Sequence, residues 1–551
     1  MDVHRLAPSL VFAALTACGG SADDSAEAGG GTIVFAVAGE PETLVPPSVM
    51  SVQARIPVDQ IFEPLASPGP EGSTLGDAGF MPRLAASWRW SADSSTIDFS
   101  IDPTAHFHDG RRVTANDVKF SHELFVDPAV QSPNASSLPA IDSIVVVDSA
   151  TVRVWFGDRS PERFFRLAAN LLVMPQHLLA SVDRTRLPES AFAQAPVGSG
   201  PYRFVKWERG ATMELAADTT RTRNRALPER LLLRFVPDLN AGARSVAAGE
   251  SDFIENLRPE GMALVAPDGP ARVVEYASPD HGYLLFNTRS NGNRKAAHPI
   301  LGERALRRAL GMAIDRRAVV RNALDSLAVV STGPFSRASW AADTTIAQIP
   351  YAVEAARALL DSLGWRDANG DGIRERHGRP LRFQVTVPSV SATRRQIAVT
   401  LQEQLRQVGV DAVIDVAEPA VLAPRLTQGK FDAFIHVWHG DASPSGIVQV
   451  WGGRDLAQSA NFGWYASATV DSLLDLAGHE ATRDRARTFY REAYEVIVQD
   501  APAIFLWEPR TFALVHRRIK FDRLDGSGWW MGIPTWRIPA AERLPRDQVR
   551  R

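Results

Sequence analysis

The chain has 551 residues, 45% of them hydrophobic and 22% charged, with a formal net charge of -3. That make-up is long and apolar enough for two or three domains with real cores, and it excludes both a disordered chain and one that grips nucleic acid through a basic field. Cys18 is the single cysteine, which excludes an internal disulfide and a cysteine-built metal cage.

At the N-terminus, Arg5 precedes an apolar run from Leu6 to Ala17. This is the outline of an export signal, too short to persist as a spanning helix. Leu15-Thr16-Ala17-Cys18 resembles a bacterial lipobox, which implies diacylglycerol on the Cys18 thiol and an N-terminal lipid anchor in the membrane. Each buried methylene of such an anchor adds about 0.8 kcal/mol. The alternative is a simple signal peptide cleaved near Ala17; both readings place the mature chain outside the cytoplasm. Residues 1–18 are thus the signal with its cysteine. Residues 19–31, nearly all Gly, Ser, Ala, Asp and Glu, form a tether with too little apolar area to offset ordering entropy.

Folded sequence is predicted from Thr32, where Thr32 to Val37 reads as a strand. Thr96 to Ile101 alternates polar and apolar, and Asp109-Gly110 supplies turn chemistry before Val113, which suggests a small antiparallel sheet. Thr114-Ala115-Asn116-Asp117 fits a capping box, so a helix should run to about Phe125, and Ser160-Pro161 reads as a second helix start. In the C-terminal half, helices and strands alternate. Helical spacing covers Glu303 to about Leu324, Tyr351 to Leu363 before Gly364, and Ala392 to Val408 before Gly409. Val410 to Val416 reads as a strand, Pro419 to Thr427 as a helix and Phe431 to Trp438 as a strand. Helices at Val470 to Leu476 and Arg483 to Val498 then precede a last strand, Pro502 to Trp507. This alternation implies parallel strands with crossover helices, an α/β arrangement.

Several segments together resemble the extracytoplasmic solute-binding proteins of dipeptide-, oligopeptide- and nickel-type ABC importers, known as family 5. They are Gly31 to Val37 with Glu42-Thr43-Leu44, Phe107 to Val118, Pro196 to Tyr202, Phe286-Asn287-Thr288, Ala305 to Arg316, Leu359 to Trp365 and Ala501 to Leu506. The resemblance spans nearly the whole mature chain. It implies a two-lobed periplasmic-binding-protein fold of class II, cluster C type, with an additional smaller domain, that closes on its ligand as a hinge. By position, 32–66, 198–285 and 505–551 would form the first lobe, 67–197 the additional domain and 286–504 the second lobe. The implied partners are a short peptide or other small solute and the permease subunits, with the protein acting as a monomer and needing no cofactor.

Within that resemblance, Trp438-His439-Gly440-Asp441 matches the family loop whose aspartate pairs with the α-amino group of a bound peptide, and it follows a strand where α/β folds present ligand loops. A buried ammonium needs such an anion. Without the family match, Asp441 would read as an exposed capping aspartate. Ser443 stands where peptide binders often carry a second aspartate. Trp438, Gly440, Trp451 and Asn461 are candidates to line the same cleft, although a tryptophan is more often core than specificity determinant.

Other chemistry has weaker support. Neither His106 with His108 nor His436 with His439 completes a metal-ligand set. Asp367 to Gly372 begins like a calcium loop, but Gly378 occupies the position of the bidentate acid, so a tight acidic turn is expected. Arg483 stands where a zinc-protease helix needs its second histidine, and no nucleophile elbow or phosphate loop occurs, so no catalytic residue is expected. The remaining alternatives are the same fold holding a nickel chelate, oligosaccharide or opine, and an extracytoplasmic hydrolase.

Overall fold

The β-branched run Thr32–Val37 forms a fully buried strand at the heart of a mixed sheet, parallel to Arg230–Phe235 on one side and to Phe253–Ile254 on the other. The computed structural model describes residues 30–69, 72–440, 442–454, 460–526 and 528–548. The export signal with Cys18, and the tether before Gly30, lie outside the described residues. Antiparallel strands Thr212–Ala217 and Tyr202–Glu208 extend the first sheet to its edge.

A second sheet is built as the alternation in the sequence predicts. Arg382–Pro388 runs parallel to both Asp411–Ala417 and Ala433–His439, and the helices Ala392–Arg406 and Pro419–Thr427 make the crossovers. Asp280–Phe286 joins antiparallel to Ala433–His439.

One strand, Ala503–His516, belongs to both sheets. Its first residues pair with Asp280–Phe286, from Ala503 opposite Leu285 to Trp507 opposite Gly282. Its last residues pair with Ala271–Ala277, from Arg510 opposite Ala277 to His516 opposite Ala271. The change of partner falls at Glu508 and Pro509, where the proline has no amide to offer a ladder. Gly282 admits the Trp507 indole there, since a Cβ at 282 would lie 2.2 Å from that ring. The final strand is therefore far longer than the predicted Pro502 to Trp507. Asp280–Phe286 pairs in the second sheet, so the chain changes sheet at 277–280 and 508–510.

The additional segment carries a four-stranded antiparallel sheet in the order Ala85–Trp90, Thr96–Ile101, Thr151–Phe156, Ile141–Val146. Its helix Ala115–Val126 starts at the predicted capping box. The Thr114 amide and hydroxyl both donate to Asp117 Oδ2, at 2.9 and 2.7 Å. Apolar residues of this segment, such as Phe99, Val154 and Phe164, share one continuous core with Ile33 and Phe35 of the first sheet and with Trp536. The domain is thus fused to the first lobe through a shared core. Gly198 sits at the join, where a Cβ would come within 1.9 Å of the Ile61 carbonyl oxygen. The second sheet has its own core around Tyr283, Val385, Leu401, Tyr490 and Phe505. The result is a two-lobed mixed α/β fold.

The predicted helix from Glu303 to Leu324 is two helices, Arg304–Ala313 and Arg316–Ala323. Asp315 breaks the run, because its carboxylate accepts from the amides of Arg317 and Ala318 at 2.9 and 3.1 Å and so begins a new helix.

Candidate functional site

Where the two sheets meet, the segment Ala277–Asp280 and the changeover at Glu508–Pro509 carry the chain from lobe to lobe, and side chains from both lobes converge on them. Glu508 is 3% exposed, and its carboxylate accepts from the amides of Thr332 and Arg337 at 3.2 and 2.9 Å. The Ser336 hydroxyl donates to the Ser278 carbonyl at 2.8 Å.

From the second lobe, Ala433–His439 delivers its carboxyl end to this crossing. The Gly440 amide donates to the Pro279 carbonyl at 3.2 Å, and His439 Nδ1 lies 2.6 Å from Asp280 Oδ1. Trp438 is half-buried, opposite His281 in register and 6.4 Å from the His436 ring. The His281, Tyr283, His436 and Trp438 side chains share one face of the sheet, since paired positions on adjacent strands point the same way. His281 is 2% exposed, and among the described residues neither of its ring nitrogens, nor His436 Nε2, has a hydrogen-bond partner. Burial holds the His281 imidazole down to about 4 and, joined by the charges of Arg394 and His281, the His436 imidazole down to about 3. Both rings are neutral at pH 7.

From the first lobe, Glu255 follows the short strand Phe253–Ile254 and accepts from Trp529 Nε1 at 2.7 Å. Burial pushes the Glu255 carboxyl up, with the Trp529 bond opposing it. Burial and the nearby Glu255 charge likewise raise the Tyr276 phenol. Gly526 seats this corner against the crossing, where a Cβ would meet the Ala277 carbonyl oxygen at 1.7 Å.

Asp441 lies outside the described residues. Its neighbour Gly440 is at the crossing, and two residues beyond Asp441 the Ser443 hydroxyl reaches into the other lobe. It donates to both oxygens of Glu162, at 2.6 and 2.7 Å. Glu162 is 4% exposed and also accepts from Thr74 Oγ1 at 2.9 Å. Trp451 is 1% exposed, with its ring 5.6 Å from both Tyr283 and Phe505, which makes it a core residue. Asn461 is also buried. Its amide donates to the carbonyls of Gly452 and Tyr465 at 2.9 and 2.8 Å, so it staples a loop.

Glu255 and Glu162 escaped the sequence reading. The strand before Glu255 has two residues, too few to show a period, and Glu162 sits in a segment read only for its helix start. That helix begins later than Pro161 suggests, at Arg163, and the Glu162 side chain makes no cap bond to it. Of the four histidines raised as metal ligands, all but His436 are otherwise engaged. His106 Nδ1 meets the Thr104 carbonyl, His108 is held by Gly198 and Gly200, and His439 faces Asp280. In the acidic turn, Asp367 accepts from the amides of Gly370 and Gly372 at 2.7 and 2.9 Å.

The sequence profile of the bacterial extracellular solute-binding proteins, family 5 Middle, matches residues 79–455. The chain belongs to that family. Oligopeptide-binding protein AppA of Bacillus subtilis is 24% identical over 446 residues, 79% of this chain and 80% of its own length. Protein XP55 of Streptomyces lividans is 27% identical over 541 residues, 96% of this chain and 92% of its own. The crystal structure of NikZ from Campylobacter jejuni in complex with Ni(L-His) aligns with a TM-score of 0.71 at 25% identity, covering 92% of this chain and 99% of that one. Family 5 proteins are extracellular, and no described helix of this chain is long and apolar enough to cross a membrane.

Proposed function

We propose that this chain is the lipid-anchored receptor of an ABC importer, capturing a short peptide between its lobes outside the cytoplasmic membrane and presenting it to the permease. The observation that carries this reading is the convergence on Ala277–Asp280 of groups from both lobes: Trp438, Gly440 and Asp280 from one, Glu255 and Trp529 from the other. Acidic groups around a closing crevice suit a ligand with an ammonium end, because closure removes the water that would otherwise stabilise that charge. Asp441 neutralises the amino end, Trp438 and Gly440 border it, and main-chain groups take the peptide backbone. Trp451 and Asn461 act from behind, as supports of the wall. Cys18 carries the anchor, and the receptor works as a monomer without turnover. Likeness to the oligopeptide-binding AppA supports the peptide assignment.

A second reading takes a small metal chelate as the solute. The imidazole nitrogens of His281 and His436 Nε2, without a partner among the described residues and beside Trp438, favour it, as does likeness to NikZ, whose structure holds Ni(L-His).

Native mass spectrometry of the purified chain, followed by calorimetric titration with di- to pentapeptides and their N-acetylated forms, separates the two. Saturable peptide binding that acetylation abolishes is expected. Absence of peptide binding together with a co-purifying metal chelate would replace the first reading by the second.

A further inference from the structure

Away from the interlobe crossing, the join between the first lobe and the additional domain carries a partly open cavity of about 610 Å³, lined among others by Glu63, Arg83, His108, Ser199, Arg221 and Arg223. No residue of the second sheet contributes to its lining. Four arginines but only three carboxylates, those of Glu63, Asp102 and Asp218, line it. The carboxylates are already committed. Glu63 accepts twice from Arg221 Nη2, at 2.9 Å to each oxygen, and Asp102 accepts from Arg223 at 2.7 Å and from the Thr104 amide and hydroxyl at 2.8 and 2.7 Å. Asp218 closes a turn on the Thr220 amide and hydroxyl at 3.0 and 2.7 Å.

Several donors, in contrast, are not committed. Arg83 spends its Nε on Ser67 Oγ at 2.9 Å and shares the field of Glu63 with Arg221, which already holds that carboxylate. Arg221 Nη1 donates to the Ser199 carbonyl, yet its buried Nε has no partner among the described residues. Ser199 is 0% exposed, lines the cavity, and its hydroxyl also lacks a partner. His108 is neutral, with Nδ1 accepting from the Gly198 amide at 3.3 Å and Nε2 facing the Gly200 carbonyl at 3.0 Å, so it competes for no anion.

A buried hydroxyl and guanidinium nitrogens without acceptors are costly unless something satisfies them, and guanidinium forks match the oxygens of carboxylate and phosphate. We propose that this cavity is a second ligand site, separate from the interlobe crevice, that binds a small free oxyanion through Arg83, Arg221 Nε and the Ser199 hydroxyl. Carboxylates and phosphates share that acceptor chemistry.

Calorimetric titration of the full chain with inorganic phosphate, and separately with succinate, at constant ionic strength tests this. Saturable binding of at least one anion is expected, with the better probe identifying the ligand class. Arg83→Gln and Ser199→Ala should each weaken it by about tenfold or more, while Asp441→Ala leaves it unchanged. Absence of saturable binding for both anions would overturn the proposal. So would wild-type affinity in a Ser199→Ala variant whose circular dichroism is native, a check that stands even if Arg83→Gln fails to fold. Loss of anion binding in Asp441→Ala would place the anion in the interlobe crevice and overturn it as well.

Discussion

At the scale of single residues, the proposed peptide site rests on charge. Asp441→Ala is expected to weaken a peptide with a free amino end by a few kcal/mol, because a desolvated ammonium loses its partner. An N-acetylated ligand, if it binds, should not notice the change. Glu255→Gln should act in the same direction but more weakly, since burial already disfavours its charged form. Titration calorimetry of both variants with one peptide checks the order. The buried imidazoles give a pH dependence. His281 is held down to about 4 by burial, whereas in the unfolded chain it titrates near its ordinary value. The unfolded chain therefore takes up a proton as the pH falls through about 6.5 and the folded chain does not. Stability is full above that pH and falls by about 2 kcal/mol by pH 5 on account of this group. Melting curves at pH 7 and pH 5 should show the decline, and His281→Leu should flatten it; an unchanged slope would assign the loss to other groups. Sequence alone marks Trp438 and Gly440 because they flank a family motif. It cannot mark Glu255, whose importance comes from Trp529, a residue 274 positions away.

Among the elements, legibility follows locality. Helices whose ends are set by their own neighbours, such as Ala392–Arg406 stopping before Gly409 with φ +79°, are found within two residues. The break at Asp315 was legible in principle as a cap, but continuous apolar spacing hid it. The length of Ala503–His516 was not legible, because its second half is a strand only by pairing with Ala271–Ala277, some 240 positions earlier. The most consequential non-local contact is the bond from Ser443 to Glu162, which ties the loop following Asp441 to the additional domain across the crevice. Leu75, next to Thr74 in the same domain, packs into the core of the second lobe and reinforces the join. Hydrogen bonds to a charged acceptor are worth roughly 1.5–3 kcal/mol each. If they hold the lobes closed, Ser443→Ala should lower peptide affinity by about tenfold with little change in melting temperature. Small-angle scattering on the liganded variant should show a larger fraction of open molecules. A large drop in stability with unaltered affinity would make the bond a fold contact and not a latch.

For the whole molecule, the first lobe depends on a buried ion network at the far end of the first sheet. Arg518 is 2% exposed at its side chain and donates to Asp252 at 2.8 and 2.9 Å, to Asp547 at 2.6 Å and to the Thr32 carbonyl at 2.7 Å. Asp547 in turn accepts from the Thr32 amide at 2.7 Å. Arg518→Met leaves two buried carboxylates without this cation and should cost about 3–5 kcal/mol of stability, read from urea unfolding. Adding Asp547→Asn should recover part of that loss. The family resemblance foretold two lobes and an added domain. They could not foretell that the domain shares the first lobe's core, because a shared core is a property of which faces meet in space.

That network joins Thr32 of the first described strand to Asp547 of the last described turn across 515 positions. During synthesis, the Thr32–Asp547 contact cannot form until 515 further residues have been added. High sequence separation of this kind slows folding and keeps the growing chain open. For a member of an extracellular family such a delay is an advantage, since a first lobe still lacking its Arg518–Asp547 contact would stay open enough to be threaded through a secretion channel.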